Sequence, residues 1–300
     1  MAISIILFIF ANAMTYEELC RRLYHIYEAG EAKAIVRYML DVRFGLSLAD
    51  ILCGKMDELD PSDYKELEAI MLRLETGEPV QYVIGVADFC GRPFHVEPGV
   101  LIPRPETEEL CRWIIRSKKR KVKSEKCHAL DIGTGSGCIA ITLALDIPEA
   151  EVSAWDISDD ALRIAKDNAK KLNAPVTFEH HDILNISLTS HRSPLTSKYS
   201  LIVSNPPYVC NKEKTAMEQN VLDYEPHLAL FVPDDDPLRF YRAIAKYAIV
   251  ALKPEGELYF ELNPVYAHET ATQLSDMGFQ HTELRNDQFG KPRFLKAMRI

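Results

Sequence analysis

Apolar residues recur at helical spacing near the start of the chain. Tyr16, Leu19, Cys20, Leu23, Tyr24 and Tyr27 fall on one face, which predicts an amphipathic helix. Thr15-Tyr16-Glu17-Glu18 fits a capping box that opens it. Ala34 to Val42 reads as a second helix. Asp60-Pro61 reads as an N-cap followed by proline at the first helical position. Tyr64, Leu67, Ile70, Met71 and Leu74 mark the buried face of that third helix, and Gly77 stops it. Residues 15–77 are therefore expected to be all-helical.

The period then changes. Tyr82-Val83-Ile84 and Phe94-His95-Val96 read as strands around a Gly91-Arg92-Pro93 turn. Thr107 is placed to cap a helix starting at Glu108. From Cys127, strands are predicted at 127–132, 151–156, 176–180, 199–204 and 256–261. Helices are predicted at 137–146, 159–172, 237–252 and 264–277. This alternation implies a mainly parallel sheet covered on both faces. Thr282–Asn286 and Arg293–Ile300 read as a closing antiparallel hairpin. The chain divides into residues 1–13, a helical domain at 14–78, a linking hairpin at 79–105 and an α/β domain at 106–300.

Composition narrows the function classes. Among 300 residues, 35 Lys and Arg stand against 44 Asp and Glu, a net charge of −9. That balance disfavours a protein held on nucleic acid, which needs a basic face. The basic run at 116–126 reads as a solvated helix end. No stretch reaches the roughly 18 apolar residues of a membrane span. Ile3 to Phe10 is apolar and Ala11-Asn12-Ala13 has the form of a signal-peptidase site, but no basic residue precedes the run, so residues 1–13 read as extra N-terminal residues or a weak signal-like segment, with Met14 the expected true start. Seven cysteines without a Cys-x-x-Cys pair read as reduced, buried thiols in the cytoplasm. No metal site is expected. His180-His181 would point to opposite faces of a strand, and Asp234-Asp235-Asp236 lacks the spacing of a calcium loop.

Two motifs carry chemistry. Asp131-Ile132-Gly133-Thr134-Gly135-Ser136-Gly137 follows an apolar strand and opens a helix, where glycines admit a ligand to the backbone. Asp156 ends the next strand, a place from which a carboxylate accepts ribose hydroxyls. A nucleoside-bearing cofactor follows. The third glycine of the dinucleotide fingerprint is missing, which favours S-adenosylmethionine over a nicotinamide.

The second motif, Asn205-Pro206-Pro207-Tyr208, directly follows a strand. The Asn205 side-chain oxygen and the Pro206 carbonyl can each accept one hydrogen of a planar NH₂ group. Tyr208 can cover one face of that group and leave the other for a methyl sulfonium. An amide or exocyclic base nitrogen suits this arrangement, because its lone pair is delocalised and must be oriented to react.

The tetrapeptide resembles the signature of amino-methyltransferases acting on adenine, guanine or glutamine. Further segments are similar to the peptide chain release factor glutamine methyltransferases, the HemK/PrmC family. These are Pro79-Val80-Gln81-Tyr82-Val83-Ile84-Gly85, Phe89-Cys90-Gly91, Leu101 to Glu108, Tyr224-Glu225-Pro226 and Leu228-Ala229-Leu230. The resemblance runs from about residue 15 to 300. It implies a class I, Rossmann-like methyltransferase sheet with a terminal antiparallel hairpin, behind a helical substrate-recognition domain. It implies that Gly133, Thr134, Gly135, Ser136, Gly137, Asp156, Asp182, Ile183 and Asn205 hold S-adenosylmethionine. Asn205, Pro206 and Tyr208 would be catalytic and, with Pro207, would hold a glutamine amide. The implied partner is a class I release factor, methylated at its Gly-Gly-Gln glutamine, with S-adenosylhomocysteine as second product. Arg104 and Glu106 would stand near the cofactor entrance. The chain departs from the family at Cys90, usually Tyr. It departs again after Glu261, where Leu262-Asn263-Pro264-Val265-Tyr266 replaces x-Gly-x-x-Gln. Competing readings are a nucleic-acid amino-methyltransferase, a non-catalytic cofactor-binding module and a nicotinamide oxidoreductase.

Overall fold

The computed structural model describes residues 14–120, 126–186 and 197–300. The apolar segment 1–13 and residues 121–125 of the basic run lie outside the described residues. Two compact units divide the chain. One extends to Val86 and takes in Glu218–Tyr224; the other comprises Ala87–Met217 and Glu225–Ile300. The cut at Val86 falls inside the expected connector at 79–105.

The first unit is helical. α1 spans Tyr16–Arg22, α2 Ala29–Phe44, α3 Leu48–Leu52, α4 Pro61–Leu74 and α5 Val80–Ile84. The Thr15–Glu18 capping box forms, and Asp60 caps α4 through the amides of Ser62 and Asp63. α1 stops at Arg22, short of the predicted face, yet Leu23 and Tyr27 remain buried. α2 runs longer than predicted and ends at Gly45, whose φ of 66° suits a residue without Cβ. Leu19, Val36, Met39, Leu40, Leu67 and Met71 form the core. Arg22 crosses to Glu68 and Glu75, both at 2.6 Å.

One element is a correction. Tyr82-Val83-Ile84, predicted as a strand from its β-branched and aromatic residues, is the end of helix α5. Burial of Val80, Tyr82 and Val83 overrides the local preference. Arg73 of α4 donates to the carbonyls of Val83 at 3.0 Å and Tyr82 at 3.4 Å, satisfying acceptors that a helix end leaves open. The hairpin lies further on, as β1 (Val86–Phe89) and β2 (Arg92–His95).

The second unit is built on one seven-stranded sheet. Its strands are β3 His128–Ile132, β4 Glu151–Asp156, β5 Val176–His180, β6 Tyr199–Ser204, β9 Leu252–Glu261, β10 Gln280–Asn286 and β11 Pro292–Met298. A separate two-stranded pair joins β7 Val209–Cys210 to β8 Phe231–Val232. The order across the main sheet is β10-β11-β9-β6-β3-β4-β5. β9, β6, β3, β4 and β5 run parallel, and β11 pairs antiparallel with both β9 and β10. The connecting helices are α6 Pro105–Arg120, α7 Cys138–Asp146, α8 Asp159–Lys171, α11 Arg239–Ala251 and α12 Ala267–Asp276. Between β7 and β8 in the chain come two short helices, α9 Gln219–Tyr224, which belongs to the first unit, and α10 His227–Leu230, which belongs to the second. α12 is preceded by a 3₁₀ turn at Pro264–Tyr266, so it starts three residues later than predicted.

Apolar layers cover both faces of the sheet. One includes Phe89, Phe94, Leu110, Ile114 and Leu143. The other includes Tyr241, Ile244, Ala248, Phe260 and Leu274. All seven cysteines are free, but Cys53 is exposed and Cys90 and Cys127 are half-buried, so the thiols are not uniformly interior as expected.

Leu67 is fully buried between the helices of the first unit. Leu67→Ala is expected to lower the unfolding free energy of that unit by about 2–5 kcal/mol. Urea denaturation followed by circular dichroism measures it; a loss under about 1 kcal/mol contradicts this packing.

Candidate active site

The parallel strands end at one edge of the sheet, and the chemistry-bearing residues sit there. β3 delivers Asp131 and Ile132 into the glycine loop. The amides of Gly133 and Thr134 donate to the carbonyl of Trp155 on β4, at 2.8 and 3.0 Å. The Gly135 amide donates to Asp156 Oδ2 at 2.9 Å, while Asp156 Oδ1 accepts from the Ser158 amide at 2.9 Å. The loop and the Asp156 carboxylate are thus one hydrogen-bonded unit. Gly137 has a φ of 83°, and a Cβ there would meet the Ala165 backbone at 3.3 Å. A side chain at that position would push α7 away from α8.

Asp131 lies beneath the loop and is fully buried. Its Oδ2 accepts from Thr134 Oγ1 at 2.7 Å and from the Ala140 amide at 3.2 Å. Its Oδ1 is buried without a protein partner. Burial pushes the Asp131 carboxyl up to about 7, against the opposing pull of those two hydrogen bonds.

Asn205 emerges one residue past β6. Ser204 donates through Oγ to the Ile132 carbonyl at 2.6 Å, pinning this strand end to the glycine loop. Ser204 also pairs with Phe260 of β9, so Asn205, just past β6, stands beside Glu261, the last residue of β9. Asn205 Nδ2 donates to Thr107 Oγ1 at 3.2 Å. Thr107 Oγ1 donates to Glu261 Oε2 at 2.7 Å, and Tyr208 donates through its hydroxyl to Glu261 Oε1 at 3.1 Å. Glu261 is 1% exposed. Burial raises its carboxyl, while Thr107, the Arg293 charge and Tyr208 draw it back. Burial and the neighbouring carboxylate raise the Tyr208 phenol well above its ordinary value, which keeps the hydroxyl protonated.

A second layer holds Tyr208 in place. Asn263 Nδ2 donates to the Tyr208 carbonyl and to Glu213 Oε2, each at 3.0 Å. Tyr241 donates to the Glu261 carbonyl and accepts from the Asn263 amide, each at 3.2 Å. Nearby, Arg104 pairs with the buried Glu225 at 2.5 Å, and the Ile102 amide donates to the other Glu225 oxygen at 3.2 Å.

Residues 16–85 match the family model described as the PrmC N-terminal domain, and 118–227 match the methyltransferase small domain. The release factor glutamine methyltransferase of Bacteroides thetaiotaomicron is 47% identical over 277 residues, covering 92% of this chain and 96% of that protein. The chain belongs to the release factor glutamine methyltransferase family. The Flavobacterium psychrophilum member is 41% identical, covering 91% and 93%. The human methyltransferase 10 domain containing protein has the same fold, with a TM-score of 0.51 at 18% identity over 80% of this chain and 96% of that one.

In this methyltransferase the residues predicted from sequence fall into two groups. Gly135 and Asp156 meet, and Asn205 stands beside the loop through Ser204. Asp182 lies past β5, its carboxylate held by the Leu184 amide at 2.9 Å and by Asn185 Nδ2 at 2.5 Å. Ile183 packs on the apolar layer under α11 and borders a pocket of about 290 Å³ between residues 183–186 and α11. That pocket reaches none of the glycine loop or the Asn205–Tyr208 segment. Arg104 is committed to Glu225. His180 and His181 are used locally, on the Ile157 carbonyl and the Glu179 carboxylate. No group of three or more His, Cys, Asp or Glu among the described residues could hold a metal ion.

Thr107 is a correction. It was expected to cap a helix at Glu108, but α6 starts at Pro105 and places Thr107 inside its first turn. Proline suits the first helical position because no amide hydrogen is needed there, and the threonine hydroxyl is freed for Glu261. Glu261 and Asn263 were not among the predicted site residues. The one sequence signal was the Glu-Leu-Asn that ends the last parallel strand.

The raised Asp131 carboxyl has a consequence for stability. Its folded value, about 7, lies above the unfolded value of about 4. The folded state therefore binds the proton more tightly, and this contribution is whole below about pH 4 and lost as pH rises through about 7. Asp131→Asn should remove that fall from a plot of unfolding free energy against pH. An unchanged slope between those limits contradicts the assignment.

Proposed function

We propose that this protein transfers a methyl group from S-adenosylmethionine to the side-chain amide nitrogen of the glutamine in the Gly-Gly-Gln motif of class I peptide chain release factors. The observation that carries the proposal is Asn205-Pro206-Pro207-Tyr208 standing at a parallel strand end, tied to a glycine loop, in a member of this family. The loop fits a nucleoside-bearing sulfonium on its own terms. Open space lies where a Gly135 side chain would project, and an unpartnered buried acceptor lies beneath at Asp131 Oδ1. Gly133, Thr134, Gly135, Ser136 and Gly137 would hold the group with Asp156, Asp182, Ile183 and Asn205. Bound there, S-adenosylmethionine supplies an electrophilic methyl on a positively charged sulfur.

The protein's own residues deal with the acceptor. Asn205 Oδ1 and the Pro206 carbonyl each accept one hydrogen of the glutamine NH₂, and Pro207 stiffens the turn. These two acceptors favour the positive charge that develops on nitrogen in the transition state. Tyr208, anchored at its hydroxyl by Glu261, covers one face of the amide. It is no general base, because its phenol stays protonated. None is required. As the nitrogen–methyl bond forms and the sulfur–methyl bond breaks, the methylated amide becomes acidic and loses its proton to water. The products are N5-methylglutamine and S-adenosylhomocysteine.

The helical unit is assigned to recognition of the release factor. No stable nucleic-acid complex is expected at a net charge of −9. No helix among the described residues is long and apolar enough to cross a membrane. The seven free cysteines suit the reducing cytoplasm, the proposed location.

Label transfer from methyl-labelled S-adenosylmethionine to a purified class I release factor tests the proposal. Label is expected on the wild-type factor and not on one with Gln→Ala in its Gly-Gly-Gln motif. Asn205→Ala should reduce the rate by about 10²–10³-fold while the fold is kept. Label on a DNA duplex or RNA offered in parallel, with none on the factor, would replace the substrate class.

A further inference from the structure

The hydrogen bonds around Thr107 have a direction. An ionised carboxylate only accepts, a threonine hydroxyl donates one hydrogen, and an asparagine NH₂ only donates. Both Glu261 oxygens are used as acceptors, Oε2 from Thr107 and Oε1 from Tyr208, and these hydrogen bonds with the Arg293 charge oppose the rise that burial imposes on its carboxyl. Glu261 Oε2 then takes the only hydroxyl hydrogen of Thr107, across 2.7 Å. Thr107 Oγ1 is left with lone pairs alone toward Asn205, and these accept from Nδ2 at 3.2 Å. The opposite rotamer of the Asn205 amide would set oxygen against oxygen with no hydrogen between them. Inside a protein such an unsatisfied contact costs more than the hydrogen bond it replaces.

We infer that Thr107 and Glu261 are positioning residues for methyl transfer: their relay fixes the Asn205 side chain with its oxygen, not its NH₂, toward the acceptor nitrogen. This inference rests on the proposed role of Asn205. A reversed Asn205 amide would present two donors to an acceptor group that itself has two hydrogens to place. Pro206 cannot compensate, because it supplies one carbonyl only. The same carboxylate holds the Tyr208 hydroxyl with its second oxygen. One buried group thereby sets both the polarity and the placement of the amide's surroundings. The members of the relay come from three distant parts of the chain: Thr107 from α6, Asn205 from just past β6 and Glu261 from the end of β9.

Thr107→Val and Thr107→Ser test the relay. Valine keeps the shape and removes the hydroxyl; serine keeps the hydroxyl and removes the methyl. Thr107→Val is expected to lower kcat on the order of 10- to 100-fold, the size of effect that mispositioning of a reacting group produces. KM for the release factor and affinity for S-adenosylmethionine should move little. Thr107→Ser should recover most of the rate. In the Thr107→Val, Asn205→Ala double variant the losses should not add, since an absent Asn205 cannot be misoriented. Glu261→Gln supplies a second route, because its amide can donate to Thr107 and undo the polarity; a fall in kcat with retained cofactor binding is expected. Wild-type kcat in Thr107→Val would overturn the inference, as would Thr107→Ser being as slow as the valine variant. Fully additive losses in the double variant would also overturn it. Undiminished transfer by Asn205→Ala alone would instead remove the reading of the site on which the relay depends.

Discussion

A carboxylate with almost no solvent contact sits where the parallel strands end, and the proposed site is arranged around it. Burying Glu261 as an anion is costly unless its lone pairs are filled and a positive charge stands near. Thr107, Tyr208 and Arg293 offset part of that cost. Each partner is then itself constrained. Tyr208 is held by its hydroxyl, Thr107 is turned with its lone pairs toward Asn205, and Arg293 spans to Asp287 at 3.4 Å and the Leu262 carbonyl at 3.2 Å. Removing any one of them leaves a buried polar group unpaired, so the set stands or fails together.

The sheet makes this convergence possible. β6 and β9 are neighbours, and their register places Ser204 opposite Phe260. The next residues, Asn205 and Glu261, stand together at this edge even though they are 56 positions apart in the chain. β3 flanks β6 on the other side and carries the glycine loop to the same edge. Open α/β sheets generally bind ligands beyond the carboxyl ends of their strands. The short β7–β8 pair and Asn263 then secure the backbone just after the Asn205–Tyr208 turn.

Much of this organisation was legible in the chain. The strands at 151–156, 176–180 and 199–204 lie where the apolar runs placed them, because short β-rich runs bounded by turn residues have few other solutions. The glycine loop and the Asn205 tetrapeptide stand at strand ends for the same reason. Tyr82-Val83-Ile84 misled, since local preference pointed to a strand while burial and the Arg73 contacts favoured a helix. Thr107 misled differently. A threonine before acidic residues has the form of a cap, and only the fold reveals that its hydroxyl meets a glutamate 154 residues away. Side-chain polarity across such separations is not written in spacing or periodicity. The departure at Asn263 acquired a meaning in the same way: its amide reaches the Tyr208 carbonyl, a contact that glycine cannot make.

The central claim is that these groups aim an amide nitrogen, and no other atom, at the methyl donor. The most direct measurement is the chemical position of the methyl in the product. After reaction with methyl-labelled S-adenosylmethionine, the modified release factor peptide is isolated and hydrolysed in acid. The account predicts that label leaves as methylamine and that fragmentation maps it to the Gly-Gly-Gln glutamine. Label that stays on the glutamate formed by hydrolysis, or appears as methanol, would contradict it.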